Sequence, residues 1–387
     1  MGTSNFNGLT DGLRDRLAAV LPPIETAPSL PFEVYSDEAV LRWEQAAIFR
    51  RAWIGLGRAD QWANPGAYSA LEVAGVPVIV LRDKQGTLRA FANACRHRGT
   101  LLLEGSGSAA VITCPFHRWT YGLDGRLRGA PDMDQVPCFD KADYGLVPFR
   151  LETRDGFAFL CFDAQAPSLD RWLGDFSALH APWSLGDMVS TFHRELEVAC
   201  NWKTFLEVFS EYYHLPYVHG GSIEGLYGRP DPGDATVGSY ASQFSTTDGT
   251  GGLLKDRQDQ ILPTIASLEG RNRQGARYSW VFPNLAFAAG TESLWVYEAM
   301  PLAANRCRVR STLCVPAETA ALPDFEARAQ HYIDRLIAVL DEDIPMLERQ
   351  QKGLSTPYGG QGRFCTALEP IVANFAVWYA RQMLDEA

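Results

Sequence analysis

The sequence has no run of about eighteen apolar residues free of charge, so no segment is suited to span a bilayer as a helix. It has no excess of basic residues. Its net charge of −11 argues against binding nucleic acid through a broad basic surface. Its first residues, Met1-Gly2-Thr3-Ser4-Asn5-Phe6, lack the basic stretch and apolar core of a signal peptide. They also lack the Ser or Thr at position 6 that myristoylation favours, so neither export nor that anchor is expected. There is no disulfide framework. Cys138, Cys161, Cys200, Cys307, Cys314 and Cys365 are scattered without paired spacing, and are expected as buried thiols in a reducing, cytoplasmic setting. No internal repeat or low-complexity tract is present.

The two remaining cysteines have a pattern. Cys95-Arg96-His97 and Cys114-Pro115-Phe116-His117 each join one thiol to one imidazole, with 16 residues between the pairs. A Rieske [2Fe–2S] centre needs two cysteines on one iron and two histidines on the other. A zinc finger usually groups a cysteine pair before a histidine pair, so structural zinc fits less well, and a disulfide would leave the histidines unexplained. Gly99, Gly105 and Gly107 after the first pair, with Pro115 and Gly122 around the second, suit two loops folded over a cluster.

The length of 387 residues suits two domains. Leu71 to Val73, Val78 to Leu81 and Leu88 to Phe91 read as short strands, with a hairpin turn at Lys84-Gln85-Gly86. Val111 to Cys114, Arg118 to Tyr121 and Gly156 to Phe162 continue the pattern. Leu123-Asp124-Gly125-Arg126 is a second turn signal. The expected division is a small β domain over 40–165 and a larger domain over 166–387, with 1–39 packed on the latter and the junction at Ala164 to Leu169. In the second part Phe192 to Val198, Tyr278 to Val281, Leu294 to Met300 and Cys307 to Val315 read as strands. Asn201 to Tyr213 and Phe325 to Leu340 read as helices. Residues 220–275 lack a period until Gln260 to Leu268, which suggests a lid or local disorder. The fold class is therefore α+β.

The first of those helices leads into His214 and His219. Five residues along a straight helix turn roughly 500°, leaving two side chains about 140° apart. A break at Pro216 is expected to bring the imidazoles together. Glu207, Glu211 and His214, spaced by four and three, would share a helix face. Two histidines with one carboxylate make the facial triad of a non-haem Fe(II) oxygenase, which leaves positions open for O2. Asp341-Glu342-Asp343, at the expected end of the long helix, offers that carboxylate if a kink before Pro345 turns an acid inward. The plain alternative is a solvated acidic helix end.

Together these segments resemble the terminal oxygenase (α subunit) of the Rieske non-haem iron oxygenases. The likeness runs through Cys95-Arg96-His97-Arg98-Gly99 and Cys114-Pro115-Phe116-His117-Arg118-Trp119-Thr120-Tyr121. It continues through Asn201-Trp202-Lys203, Glu211, His214, His219 and Phe282-Pro283-Asn284. It ends with Asp343, Glu348 and Gln351. The resemblance implies an all-β Rieske domain plus a helix-grip catalytic domain, in which an antiparallel sheet holds long helices. It implies a cluster on Cys95, His97, Cys114 and His117, and an iron on His214, His219 and Asp343 rather than Asp341 or Glu342. It makes Glu211 the acid that links the cluster of one subunit to the iron of its neighbour in a head-to-tail homotrimer. Val208 departs from the family, which often has Asn there. A Glu at 211, where many ring dioxygenases have Asp, resembles the subgroup acting on choline, glycine betaine and carnitine.

The implied activity is mono- or dioxygenation: O2 and electrons from NAD(P)H, passed through a flavin/iron–sulfur reductase or ferredoxin, would hydroxylate or dealkylate a quaternary amine or aromatic compound. Histidine ligation raises a Rieske cluster to roughly −150 to +300 mV, a range from which it can accept and release electrons. Arg96, Arg98, Arg118, Arg126 and Arg128 form either a docking face for an acidic electron donor or an ordinary solvated surface with internal ion pairs. Phe205, Phe209, Tyr212, Trp280, Phe282, Phe287, Trp295 and Tyr297 are candidates for an aromatic cage or for plain core. The alternative function is a Rieske electron carrier without oxygenase turnover.

Overall fold

The computed structural model describes residues 9–384. Among them are sixteen β-strands in three sheets, all paired antiparallel. The first sheet comprises β1 (Ile54–Arg58), β2 (Ala67–Val73), β3 (Val76–Arg82), β4 (Leu88–Ala92) and β5 (Ser106–Ser108). A small second sheet, β6 (Ile112–Thr113), β7 (Thr120–Tyr121) and β8 (Leu127–Gly129), carries the second Cys–His pair in the loop that joins β6 to β7. β9 (Pro148–Arg154) and β10 (Phe157–Cys161) complete the first sheet, in the order β1-β10-β9-β4-β3-β2-β5. The turn at Lys84-Gln85-Gly86 joins β3 to β4. The Asp83 carboxylate accepts from the amides of Gln85 and Thr87 at 2.9 and 2.8 Å, and Gly86 takes the left-handed φ of +79°.

The larger sheet runs β11-β16-β15-β14-β13-β12. Its strands are β11 (Met188–Val198), β12 (Tyr240–Thr246), β13 (Gly275–Val281), β14 (Leu285–Ala289), β15 (Leu294–Ala303) and β16 (Arg306–Pro316). Both faces are covered, so alternate residues serve two cores. Leu285, Phe287, Leu294 and Val296 pack with Trp53, Phe157 and Trp183. Ala286, Trp295 and Tyr297 face the other way, with residues of three helices, Trp202–Phe209, Phe325–Leu354 and Pro370–Leu384. This double burial explains why β14 shows no polar alternation in sequence. β12 is hidden for the opposite reason. Its Ser242, Gln243 and Ser245 are buried, and Gln243 Nε2 donates to the carbonyls of Asp231 and Ala367. Gln260 to Leu268, where a period was expected to begin, forms no helix or strand beyond a single-turn 3-10 segment at its start, and the Leu262 amide donates to Tyr332 Oη.

Asn284 docks the two large sheets. The Gly55 amide donates to Asn284 Oδ1, and Asn284 Nδ2 donates to the Gly55 carbonyl, both at 2.9 Å. A side chain at Gly55 would overlap Leu285, so β1 can lie against β14 only without one. The Phe282-Pro283-Asn284 motif thus serves assembly of the scaffold.

Asn201-Trp202-Lys203 is a scaffold motif as well. Asn201 caps the helix through the Lys203 amide, and its own amide donates to Gln351 Oε1 on the long helix at 2.8 Å. Trp202 Nε1, Lys203 Nζ and Tyr379 Oη all donate to the buried Glu44 carboxylate, at 3.0, 2.6 and 2.6 Å. That network holds the site helix against the N-terminal segment and the C-terminal helix. Of the 1–39 segment, residues 1–8 lie outside the described residues; Leu13 and Leu17 are buried in the same cluster as Phe375 and Tyr379.

Two helix expectations need correction. The helix expected over Asn201 to Tyr213 ends at Phe209, with Ser210 leaving helical geometry and the Tyr212 amide donating instead to the Leu368 carbonyl. The long helix does not end at the acidic triplet. It continues from Phe325 to Leu354 through Pro345, whose missing N–H deprives only the Asp341 carbonyl of its helical partner. No helix among the described residues is long and apolar enough to cross a membrane.

Candidate metal centres

The two Cys–His loops share one geometry. The Gly99 amide donates to the Cys95 carbonyl at 2.8 Å, and the Arg118 amide to the Cys114 carbonyl at 3.2 Å. The closing residue has positive φ in each, +78° at Gly99 and +60° at Arg118. Asn93 pins the first loop, its side chain accepting from the amides of Leu102 and Leu103. Cys95 and Cys114 are buried, whereas His97 is exposed and His117 half-buried. The two imidazoles approach with ring centroids 4.7 Å apart, and His97 stacks on Trp119. Although His97 is largely exposed, the partial desolvation of its ring, with the nearby His117 and Arg98, lowers its pKa and favours the neutral form that ligates metal. Tyr121 Oη lies 3.3 Å from Cys95 Sγ and accepts from the Arg96 amide. A pair of buried thiols beside a pair of imidazoles that reach the surface matches the donor set of a Rieske cluster.

The second centre forms where the site helix stops. His214 and His219 flank a single turn of helix, Leu215–Val218, and Pro216 sits in its first turn, where proline is tolerated. Pro216 therefore starts a turn here instead of breaking one. The imidazole Nε2 atoms lie 3.1 Å apart. Asp343 Oδ1 lies 3.2 Å from His219 Nε2 and 3.7 Å from His214 Nε2. Each imidazole is oriented from behind by an acid. His214 Nδ1 donates to Glu211 Oε1 at 2.5 Å, and His219 Nδ1 donates to Glu342 Oε2 at 2.7 Å. An ionised carboxylate only accepts, so both protons are drawn to Nδ1 and both Nε2 lone pairs face inward. Asp343 Oδ1 is buried without a hydrogen-bond partner. Two lone pairs and a carboxylate oxygen at these distances repel one another unless a cation lies among them. The donor set fits one hard-to-borderline divalent ion such as Fe(II).

The other acids separate clearly. Glu211 reaches His214 from the turn after the helix, its second oxygen accepting from the amides of Tyr213 and His214. The expected shared helix face does not exist. Glu207 points away, accepting from Tyr35 Oη at 2.7 Å, and burial pushes its pKa up to about 7. Asp341 is exposed, while Glu342 and Asp343 both turn toward His219. Glu342 was a candidate as one of three consecutive acids, but its contact with His219 Nδ1 was not foreseen, because nothing in such a run marks which acids face inward or which nitrogen they meet.

A cavity of about 40 Å³ adjoins the centre. Of the expected aromatics, Phe205, Phe209, Tyr212 and Tyr297 line it, as do Val208 and the unforeseen Tyr278 and Arg335. Trp280 and Phe282 pack instead on Phe375, Phe287 lies in the opposite core, and Trp295 borders a neighbouring cavity. Among the surface arginines, Arg126 and Arg128 pair with Asp124, while Arg96, Arg98 and Arg118 are exposed without an ion pair among the described residues.

Residues 52–140 match the Rieske [2Fe-2S] domain, and residues 185–385 match the catalytic domain of the ring hydroxylating alpha subunit. The chain belongs to the Rieske-type ring-hydroxylating oxygenase α subunits. A glycine betaine monooxygenase oxygenase subunit from Chromohalobacter salexigens is 32% identical over 415 residues, spanning 100% of this chain and 92% of the relative. The chloroplastic choline monooxygenase of Beta vulgaris is 28% identical, spanning 97% and 81%. The solved structure of a quaternary ammonium Rieske monooxygenase, described for carnitine oxidation and inter-subunit electron transfer, superimposes with a TM-score of 0.79 at 26% identity, covering 96% and 98%. This α subunit is accordingly an oxidoreductase of the mono- or dioxygenase type with a Rieske cluster and a mononuclear iron.

Proposed function

We propose that this α subunit oxidises a small quaternary amine at an iron held by His214, His219 and Asp343, drawing electrons from a cluster held by Cys95, His97, Cys114 and His117. The observation that carries the reading is the convergence of two Nε2 atoms 3.1 Å apart on the unpartnered Asp343 oxygen. Iron in such a setting activates O2, and the cluster supplies the electrons. The chain's own residues orient and exclude. Glu211 and Glu342 hold the two imidazoles in the ligating tautomer. Phe205, Phe209 and Tyr297 line the cavity, and an aromatic ring that turns its face to a cation there would attract it by roughly 2 kcal/mol when water is excluded. The names of the relatives favour an amine over an aromatic ring.

Glu211 lies behind a proposed ligand at the half-buried end of the site, which suits a link to a neighbouring subunit's cluster in a head-to-tail homotrimer. Arg96, Arg98 and Arg118 suit docking of an acidic ferredoxin or flavin/iron–sulfur reductase that draws on NAD(P)H. None of the eight cysteines forms a disulfide, and of the six outside the proposed cluster Cys138 is exposed instead of buried as expected; a reducing compartment, the cytoplasm, suits such thiols. The test is O2 uptake driven by NAD(P)H through a surrogate reductase, with choline, glycine betaine, carnitine and simple aromatic acids. Uptake coupled to oxidised product with at least one amine is expected. Uptake coupled only to aromatic oxidation would replace the amine reading. Cluster reduction with no coupled oxidation of any of them would favour an electron carrier.

A further inference from the structure

Arg335 faces the same cavity as the His214, His219 and Asp343 cluster, yet nothing in the proposed oxidation uses it. It stands on the long helix, a little over two turns before Asp343, roughly 12 Å along the axis at the usual rise. Its exposure is 6%. A guanidinium keeps its charge at any working pH and carries five donors in a planar fork. Among the described residues Arg335 forms no ion pair. One N–H donates to Tyr227 Oη at 3.3 Å, and Nε has no hydrogen-bond partner. Its other near neighbours are the phenols of Tyr278 and Tyr297, which burial holds in the neutral form, and, further along the helix, Asp343. Asp343 is committed to the metal cluster. Arg335 is thus a buried cation with spare donors and no direct ion-pair partner, and an anion entering the cavity could satisfy both. Arg335, Phe209 and Tyr278 also border a second cavity of about 20 Å³.

We infer that Arg335 is a specificity residue that receives a carboxylate of the substrate. The inference rests on the oxygenase reading only in calling the ligand a substrate. The planar fork matches a carboxylate through two parallel hydrogen bonds, which fixes orientation as well as charge. The carboxylate end then lies on the Arg335 side of the cavity that also holds Asp343. The remainder of the molecule, cationic or aromatic, lies across Phe209 and Tyr297 with its far end toward His214 and His219. A small organic acid is accepted, and its alcohol counterpart leaves Arg335 buried and unpaired.

The test is calorimetric binding to the iron-loaded full-length protein, using glycine betaine against choline and benzoate against benzyl alcohol, alongside O2 uptake with the same four. In at least one pair the acid should bind at least tenfold tighter than the alcohol. R335Q should erase that preference by weakening the acid and leaving the alcohol within threefold. R335K should retain part of it, because an ammonium keeps the charge and loses the fork. If R335Q does not fold, R335K decides, and acid binding must still fall at least threefold. Absence of any preference, binding of none of the four, or a preference that survives R335Q overturns the assignment. Equal oxidation of an alcohol and its acid would leave the oxygenase standing and remove the role of Arg335. Arg335-dependent acid binding without turnover would do the reverse.

Discussion

Glu342 accepts the Nδ1 proton of His219 at 2.7 Å, while its sequence neighbour Asp343 lies 3.2 Å from Nε2 of the same ring. Two consecutive acids therefore grip one imidazole at both nitrogens, one as orienting acceptor and the other beside the inward lone pair. Ser222 Oγ donates to the same Glu342 oxygen at 2.6 Å and fixes its position.

Removing Glu342 should loosen metal without removing a ligand. In Glu342→Ala the His219 ring loses the acceptor that sets its tautomer, and iron affinity should fall roughly 10–100-fold, as is common for such supporting acids. The visible spectrum of the cluster should stay unchanged. Chelator titration followed by iron analysis reads the effect. Wild-type retention of iron in the variant would show that Glu342 plays no part in holding His219.

Glu211→Gln separates orientation from communication. A glutamine oxygen can still accept from His214 Nδ1, so both metal sites and the subunit assembly should persist. The cluster of this variant should be reduced normally and then remain reduced when substrate and O2 are mixed in a single turnover. Reoxidation at near the wild-type rate, coupled to product, would remove Glu211 from the route between subunits.

Glu298 makes stability depend on pH. It is buried against β1, where a side chain at Gly57 would overlap its carboxylate. Burial, only partly opposed by Arg310, pushes its pKa up to about 7 from an ordinary 4.5. The folded chain therefore holds a proton that the unfolded chain releases between those values. The contribution of this group is complete below pH 4.5 and declines as pH rises through 7, by on the order of 3 kcal/mol. Glu298→Gln should remove that decline, so its denaturation midpoint should gain on wild type from pH 5 to pH 8. Parallel profiles would contradict this.

The Rieske domain was legible from the Cys–His pairs, because ligand chemistry leaves a mark in residue type that does not depend on fold. Their loops were only half legible. Gly99 and Arg118 adopt the same left-handed geometry, and a sequence signals it only at the glycine. His214 and His219 were read as needing a break at Pro216, but the helix stops earlier, at Phe209, where a tertiary hydrogen bond from Tyr212 to Leu368 competes with the helical one. The contact between Glu211 and His214 was expected from helix periodicity and instead arises from a turn in which the same carboxylate caps two backbone amides. β14 was hidden by burial on both faces, and β12 by polar residues satisfied inside the fold. Arg335 and Tyr278 had no local signature at all, since only the packing of the long helix on the large sheet brings them to the cavity.

The central claim is that one chain holds two metal centres of different chemistry on the residues named. Iron and acid-labile sulfide analysis of wild type and Asp343→Ala tests it most directly. The wild type should contain about three irons and two sulfides per chain. Asp343→Ala should contain about two irons and two sulfides, with the cluster spectrum intact and turnover lost, and Asp341→Ala should show no such change. An Asp343→Ala protein that keeps its third iron, or one that loses sulfide along with it, would contradict the assignment.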